Sequence, residues 1–115
     1  MSAYEHMVFF RFKPQVPQST VDDLMTTLLT FPRTIPGILE MSAGINETEE
    51  TGNIHGYTLG LRITFEDQQT LRVYQSHSEH QSFIQKLNGI LESVIVMDYP
   101  FPTRDPNSKS RSLSS

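Results

Sequence analysis

A chain of 115 residues, 37% hydrophobic and 19% charged, is long enough for one compact domain around one modest core and too short for two. Its formal charge of −4 removes the basic surface that nucleic-acid or anionic-membrane binding requires, and no apolar run approaches the ~20 residues of a membrane helix. Without cysteine there is no disulfide frame, thiolate nucleophile or cysteine-ligated metal; with no leader pattern after Met1 the expected location is the cytoplasm.

Along the chain, Tyr4–Lys13 alternates His6, Val8, Phe10 and Phe12 with Met7, Phe9 and Arg11, which predicts a strand covered on both faces. Pro14 and Pro17 end it. A helix is expected over Thr20–Thr30, capped by Ser19 or Thr20, with Val21, Leu24, Met25, Leu28 and Leu29 on one stripe. Pro32, Pro36 and Gly37 turn the chain into a second strand, Ile38–Asn46, with Gly44 as a candidate bulge. The acidic run Glu47–Asn53 reads as an exposed hairpin connection and the most mobile interior segment, its carboxylates solvated.

Tyr57, Leu59, Leu61, Ile63 and Phe65 alternate with polar or small residues, predicting a third strand. Glu66 and Asp67 open a helical stretch carrying Leu71 and Tyr74, broken at Ser76-His77-Ser78 and restarted by a capping box at Ser78–Gln81. In the restarted piece His80 heads an apolar stripe completed by Phe83, Ile84 and Leu87. Leu91–Tyr99 is the last strand, with Val94 and Val96 on one face and Ile95 and Met97 on the other. The expected domain is 1–102, followed by a Ser-rich disordered tail over 103–115.

The order strand, helix, strand, strand, helix, strand predicts an α+β, ferredoxin-like βαββαβ fold, a four-stranded antiparallel sheet with both helices on one face. Apolar residues on the other face call for a second copy packed sheet to sheet, so the expected partner is the chain itself, as a homodimer.

The segments Glu5–Lys13, Ile35–Ile38, Gly56–Thr58, Phe65–Asp67, Tyr74–Phe83 and Val96–Tyr99 resemble the stress-responsive A/B barrel family of dimeric α+β barrels, over about Tyr4 to Pro100. The most specific stretch is Tyr-x-x-His-x-x-His-x-x-Phe at 74–83; one departure is Ser78, where the family usually has Pro. The family's best understood enzyme is a cofactor-free polyketide aldol cyclase of plants. The resemblance implies that Tyr74 and His80 are the catalytic pair, that His6 lines the same pocket, and that no cofactor is needed. Leu59, Leu28 and Leu91 replace a histidine, a tyrosine and a tryptophan of that cyclase, so the resemblance implies the acid/base pair but not the same substrate.

An aldol closure needs a base for a proton between two carbonyls and a donor for the oxygen that becomes alkoxide. A neutral imidazole in the first turn of a helix suits the base, and Tyr74 can orient it or donate to the oxygen. The expected pocket is lined by His6, Val8, Phe10, Leu24, Leu28, Tyr57, Leu59, Leu61, Phe83, Leu87 and Leu91, and the expected ligand is a small apolar or polyketide-like molecule. The alternative is a non-catalytic homodimer in which His80 packs under the sheet with one nitrogen satisfied and Tyr74 is core with its hydroxyl at the rim. His77 falls at the helix break, His55 is expected in solvent, and the methionines fill gaps in core and interface. His77, Glu79 and His80 fix no third metal ligand, so no metal is assigned. Haem-degrading and quinone-forming oxygenases share the dimeric barrel, and the lack of any tryptophan weighs against them. Phosphate-loop, nucleophile-elbow and His-Glu-x-x-His motifs are missing.

Overall fold

A computed structural model describes residues 2–101; the expected tail, 103–115, lies outside them. The elements are β1 (Ala3–Phe12), α1 (Gln18–Leu28), α2 (Phe31–Thr34), β2 (Ile38–Ile45), β3 (Tyr57–Phe65), α3 (Gln68–Ser76), α4 (Ser78–Lys86) and β4 (Leu91–Phe101), with a 3₁₀ turn at Thr51–Asn53. The strands form one antiparallel sheet in the order β2-β3-β1-β4, with the helices on one face. This is the expected ferredoxin-like α+β arrangement.

Between sheet and helices lies the core. Leu28, Phe31, Ile63 and Phe65 are fully buried, joined by Leu24 from α1, Leu59 and Leu61 from β3, Leu71 and Tyr74 from α3 and Phe83 from α4. Packing is largely aromatic: Phe31 meets Tyr74 and Phe83 edge to face, with ring centroids 6.0 and 5.9 Å apart. The helices lie chiefly over β1, β2 and β3. Edge strand β4 therefore leaves Val94 and Val96 exposed on the helix side and Ile95 and Met97 exposed on the other.

Several local expectations are corrected. Helix α1 starts two residues earlier than predicted, because the Pro17 carbonyl already accepts from the Thr20 and Val21 amides; Ser19 and Thr20 lie inside the helix and do not cap it. Pro32 does not end helical structure but sits in the first turn of α2, where its missing N–H costs nothing. Gly44 pairs regularly with Gly60; the irregularity of β2 lies between Ile38 and Glu40. His77, not Ser78, caps α4, its Nδ1 accepting from the Glu79 amide at 3.1 Å.

The most consequential correction concerns Tyr57. A register shift between Phe10 and Arg11 leaves Thr58 as an extra residue, so Tyr57 pairs with Arg11 and turns away from the helices. Its hydroxyl is 2.9 Å from Ser93 Oγ, and the Arg11 guanidinium carbon lies 5.6 Å from its ring centre. Tyr57 thus belongs to the outer face of the sheet, with Phe9, Gly60 and Ile95.

Phe31→Ala would remove a fully buried ring touching two aromatic neighbours. A loss of about 3–5 kcal/mol in urea unfolding is expected; a loss below about 1 kcal/mol would mean that α2 is not part of the core.

Candidate functional site

Between the helix-facing side of β1 and β4 and the helices α3 and α4 is a cavity of about 560 Å³. Successive helix-facing positions of β1 place His6, Val8 and Phe10 along its floor, roughly 13 Å at ~3.3 Å per residue. Leu61 and Leu28 close it from β3 and α1, and Phe83 and Ile84 of α4, with Leu87 just after that helix, roof it. Val94 and Val96, on the uncovered edge strand, form its open side. Polar groups gather at one end, around His6, Tyr74, Gln75 and His80, while the far end is apolar except for Asn88.

Of the predicted pocket residues, His6, Val8, Phe10, Leu28, Leu61, Tyr74, His80, Phe83, Leu87 and Leu91 line this cavity. Leu24 and Leu59 are buried in the core away from its wall, and Tyr57 is on the opposite face of the sheet. His55 is exposed in the loop before β3, as expected. Sequence reasoning missed Gln75, Asn88, Val94, Val96 and Asp98. Asp98 could have been found by pairing β1 with β4 antiparallel, since it stands directly opposite His6.

His80 is oriented by the break between α3 and α4. In a continuous helix the Gln75 carbonyl would accept from the amide four residues on, Glu79. That amide is instead bound to His77 Nδ1, and the freed carbonyl is 3.1 Å from His80 Nδ1 and 2.7 Å from Gln81 Nε2. A carbonyl only accepts, so Nδ1 carries the hydrogen and Nε2 keeps its lone pair. Nε2 has no hydrogen-bond partner among the described residues and is not sealed off. Burial lowers the His80 pKa, the Gln75 carbonyl opposes that shift and His6 adds to it in a smaller way. Desolvation, rather than the first-turn position that the sequence suggested for a neutral imidazole, is the leading cause.

Tyr74 is 2% exposed, wedged between Phe65 and His80 with ring centroids 5.0 and 4.3 Å away. Its hydroxyl has no hydrogen-bond partner among the described residues, yet is not among the sealed, unpartnered atoms. Burial, and secondarily the Asp98 carboxylate, raises its pKa, so it remains a hydroxyl donor throughout the neutral range. His6, whose side chain is 7% exposed, completes the polar end, its Nδ1 2.5 Å from Asp98 Oδ1. Among the described residues no three His, Asp or Glu side chains gather as a metal site, and no helix is long and apolar enough to cross a membrane. Chemically, the polar end offers an unprotonated imidazole nitrogen and a hydroxyl donor side by side at the head of an apolar trough.

The chain belongs to the stress-responsive A/B barrel domain family, whose model matches residues 4–101. It is 24% identical over 97 residues to olivetolic acid cyclase of Cannabis sativa, across 84% of this chain and 95% of that protein. Among solved structures, hydroxynitrile lyase from Passiflora edulis shares the fold with a TM-score of 0.78 and 19% identity, covering 91% of this chain and 98% of that one. A dimeric ferredoxin-like protein of unknown function from Thermobifida fusca superposes with a TM-score of 0.76 at 20% identity, covering 87% and 92% of the two chains.

The lowered His80 pKa carries a stability consequence. The folded state binds the His80 proton less readily than the unfolded chain, so this contribution is complete above the ordinary imidazole value of about 6.5 and is lost as pH falls towards the folded pKa. Thermal melts of the wild type and His80→Gln across pH 5–8 should show a smaller acid-side decline in the variant; parallel curves would contradict the burial argument.

Proposed function

We propose that this member of the stress-responsive A/B barrel family is a cofactor-independent enzyme that closes carbonyl-rich, polyketide-type molecules by aldol chemistry, with His80 as base and Tyr74 as hydrogen-bond donor. The observation that carries the reading is the pairing of two unpartnered groups at one end of an open cavity: His80 Nε2, made an acceptor by the Gln75 carbonyl, and the Tyr74 hydroxyl. A buried polar group without a partner is costly, and two such groups facing the same space are complementary to a polar ligand.

In this reading His80 Nε2 takes a proton from the carbon between two carbonyls, and that carbon then bonds to a more distant carbonyl carbon. The carbonyl oxygen, held by the Tyr74 hydroxyl as it becomes alkoxide, receives the proton that His80 gained. No atom is lost and no redox partner is needed. Phe10, Phe83, Leu87, Leu91 and Val94 would take the apolar arm of the substrate. The likeness to a polyketide cyclase supports this chemistry, and the hydroxynitrile lyase fold neighbour is another enzyme whose name implies chemistry at a carbonyl carbon.

We further assign the chain to a homodimer built through the outer face of the sheet, where Phe9, Ile95, Met97 and Tyr99 are exposed on neighbouring strands. Fold neighbours described as dimeric support the assignment. A second reading keeps the dimer without chemistry, as a binder of apolar small molecules; the predominantly apolar lining beyond the polar end favours it.

The two readings diverge in mutants. Incubated with a linear 3,5,7-trioxo thioester bearing an alkyl arm, the protein should yield a cyclised product by mass spectrometry. His80→Ala and Tyr74→Phe should each cut its rate by about 10²–10⁴-fold while circular dichroism and light scattering stay unchanged. The acid limb of the wild-type rate profile should fall below the ordinary imidazole pKa, because burial keeps His80 neutral there. Retained activity in His80→Ala would remove that residue from the mechanism, and a monomeric species would overturn the dimer.

A further inference from the structure

His6 and Asp98 are not used in the proposed chemistry, yet they form the tightest polar contact of the cavity. His6 lies on the helix-facing side of β1 and Asp98 stands opposite it on β4, so sheet register, rather than a loop, fixes the pair. An ionised carboxylate only accepts, so the hydrogen in the 2.5 Å contact belongs to His6 Nδ1. In its neutral form the ring then carries its lone pair on Nε2. That nitrogen has no hydrogen-bond partner among the described residues, is not sealed from solvent, and belongs to a residue lining the cavity.

The polar end therefore contains two imidazole nitrogens that accept, on His6 and His80, and one hydroxyl that donates, on Tyr74. The two rings reach the same tautomer by different devices, one through a carboxylate on a neighbouring strand and one through a carbonyl freed by a helix break. A simple ketone or ester has no O–H to place against either nitrogen, and leaving a buried acceptor unpaired is costly. The enol form of a 1,3-dicarbonyl offers an O–H and a carbonyl oxygen on the two carbons that flank a nucleophilic central carbon.

We infer that the cavity selects its ligand as the enol of a 1,3-dicarbonyl, with His6 Nε2 accepting the enol O–H and Asp98 acting as the positioning residue that holds His6 in that tautomer. This rests on the reading of the site as a carbonyl site and adds the form of the substrate it binds. Asp98 touches no ligand; it acts through His6. The assignment leaves Tyr74 to a carbonyl oxygen and sets His80 beside the central carbon, which carries its acidic hydrogen in the diketo tautomer.

Two probes separate the possibilities at about pH 8, where an ordinary imidazole is neutral: 1-phenylbutane-1,3-dione, which enolises, and its 2,2-dimethyl derivative, which has no hydrogen between the carbonyls and cannot. The wild type should bind the first at least about tenfold more tightly, the discrimination expected of a site built to pair a hydroxyl. Asp98→Asn, which keeps the shape but allows an amide N–H to face Nδ1, should cut that preference at least threefold, and His80→Ala should keep it. Imidazole ¹⁵N spectra of the wild type should show His6 protonated on Nδ1 and bare on Nε2. An unchanged preference in Asp98→Asn, equal wild-type affinities, or the opposite His6 tautomer would overturn the inference alone. Failure of the wild type to bind either diketone would overturn the carbonyl-site reading and the inference with it.

Discussion

The chemistry of this cavity depends on one interruption of the backbone, at His77. Its extended conformation, with ψ of 141°, separates α3 from α4 and withdraws the Glu79 amide from the helical ladder. The Gln75 carbonyl, which a continuous helix would have consumed, becomes an acceptor for His80 Nδ1. A single break thus turns the chain under the sheet, fixes which His80 nitrogen carries the hydrogen, and leaves the other exposed to the cavity. Where the family usually has a proline after this histidine, the break would be imposed by the residue preceding proline avoiding helical geometry. Here Ser78 occupies that place, and the His77 side chain holds the turn by accepting from Glu79.

The second constraint is the position of β4 at the sheet edge, beyond the reach of the helices. Because α1, α3 and α4 lie chiefly over the other strands, the helix side of β4 becomes the open wall of a cavity. The antiparallel β1–β4 register then decides which residue meets which. It sets Asp98 against His6 at the polar end, and Val96 and Val94 against Val8 and Phe10 along the apolar run. Across the sheet the same register builds a different surface. Arg62 bonds Glu40 and Glu5, Thr64 donates to Glu5, and the apolar side chains of Phe9, Ile95 and Met97 lie beside them. The two faces differ in kind, one enclosing a cavity and the other carrying an exposed apolar surface beside a charged network.

Period-two alternation was enough to read β1 and β3, and the helical stripe of Val21, Leu24 and Leu28 was enough to place α1, because these patterns record which face is buried. His6, Tyr74 and His80 were legible as a group through spacing and family resemblance, and they do share one cavity. Tyr57 was misplaced because a register shift inverts the face of a residue without any mark in its own sequence; only the pairing of Arg11 with Tyr57 reveals it. Asp98 was invisible for a related reason, since its meaning lies in its partner across the ladder, 92 residues away. The cause of the His80 shift was also out of reach, because burial depends on how Tyr74 and its neighbours pack over the ring.

The account stands on an open cavity whose polar end binds a carbonyl compound through Tyr74 and His80. A crystal structure of the full chain soaked with 1-phenylbutane-1,3-dione tests this most directly. It should show a ligand oxygen within hydrogen-bond distance of the Tyr74 hydroxyl, the carbon between the carbonyls facing His80 Nε2, and the phenyl ring running towards Phe10 and Leu87. A cavity collapsed around Ile84, Leu87 and Val94, or a ligand seated on the outer face of the sheet, would contradict it.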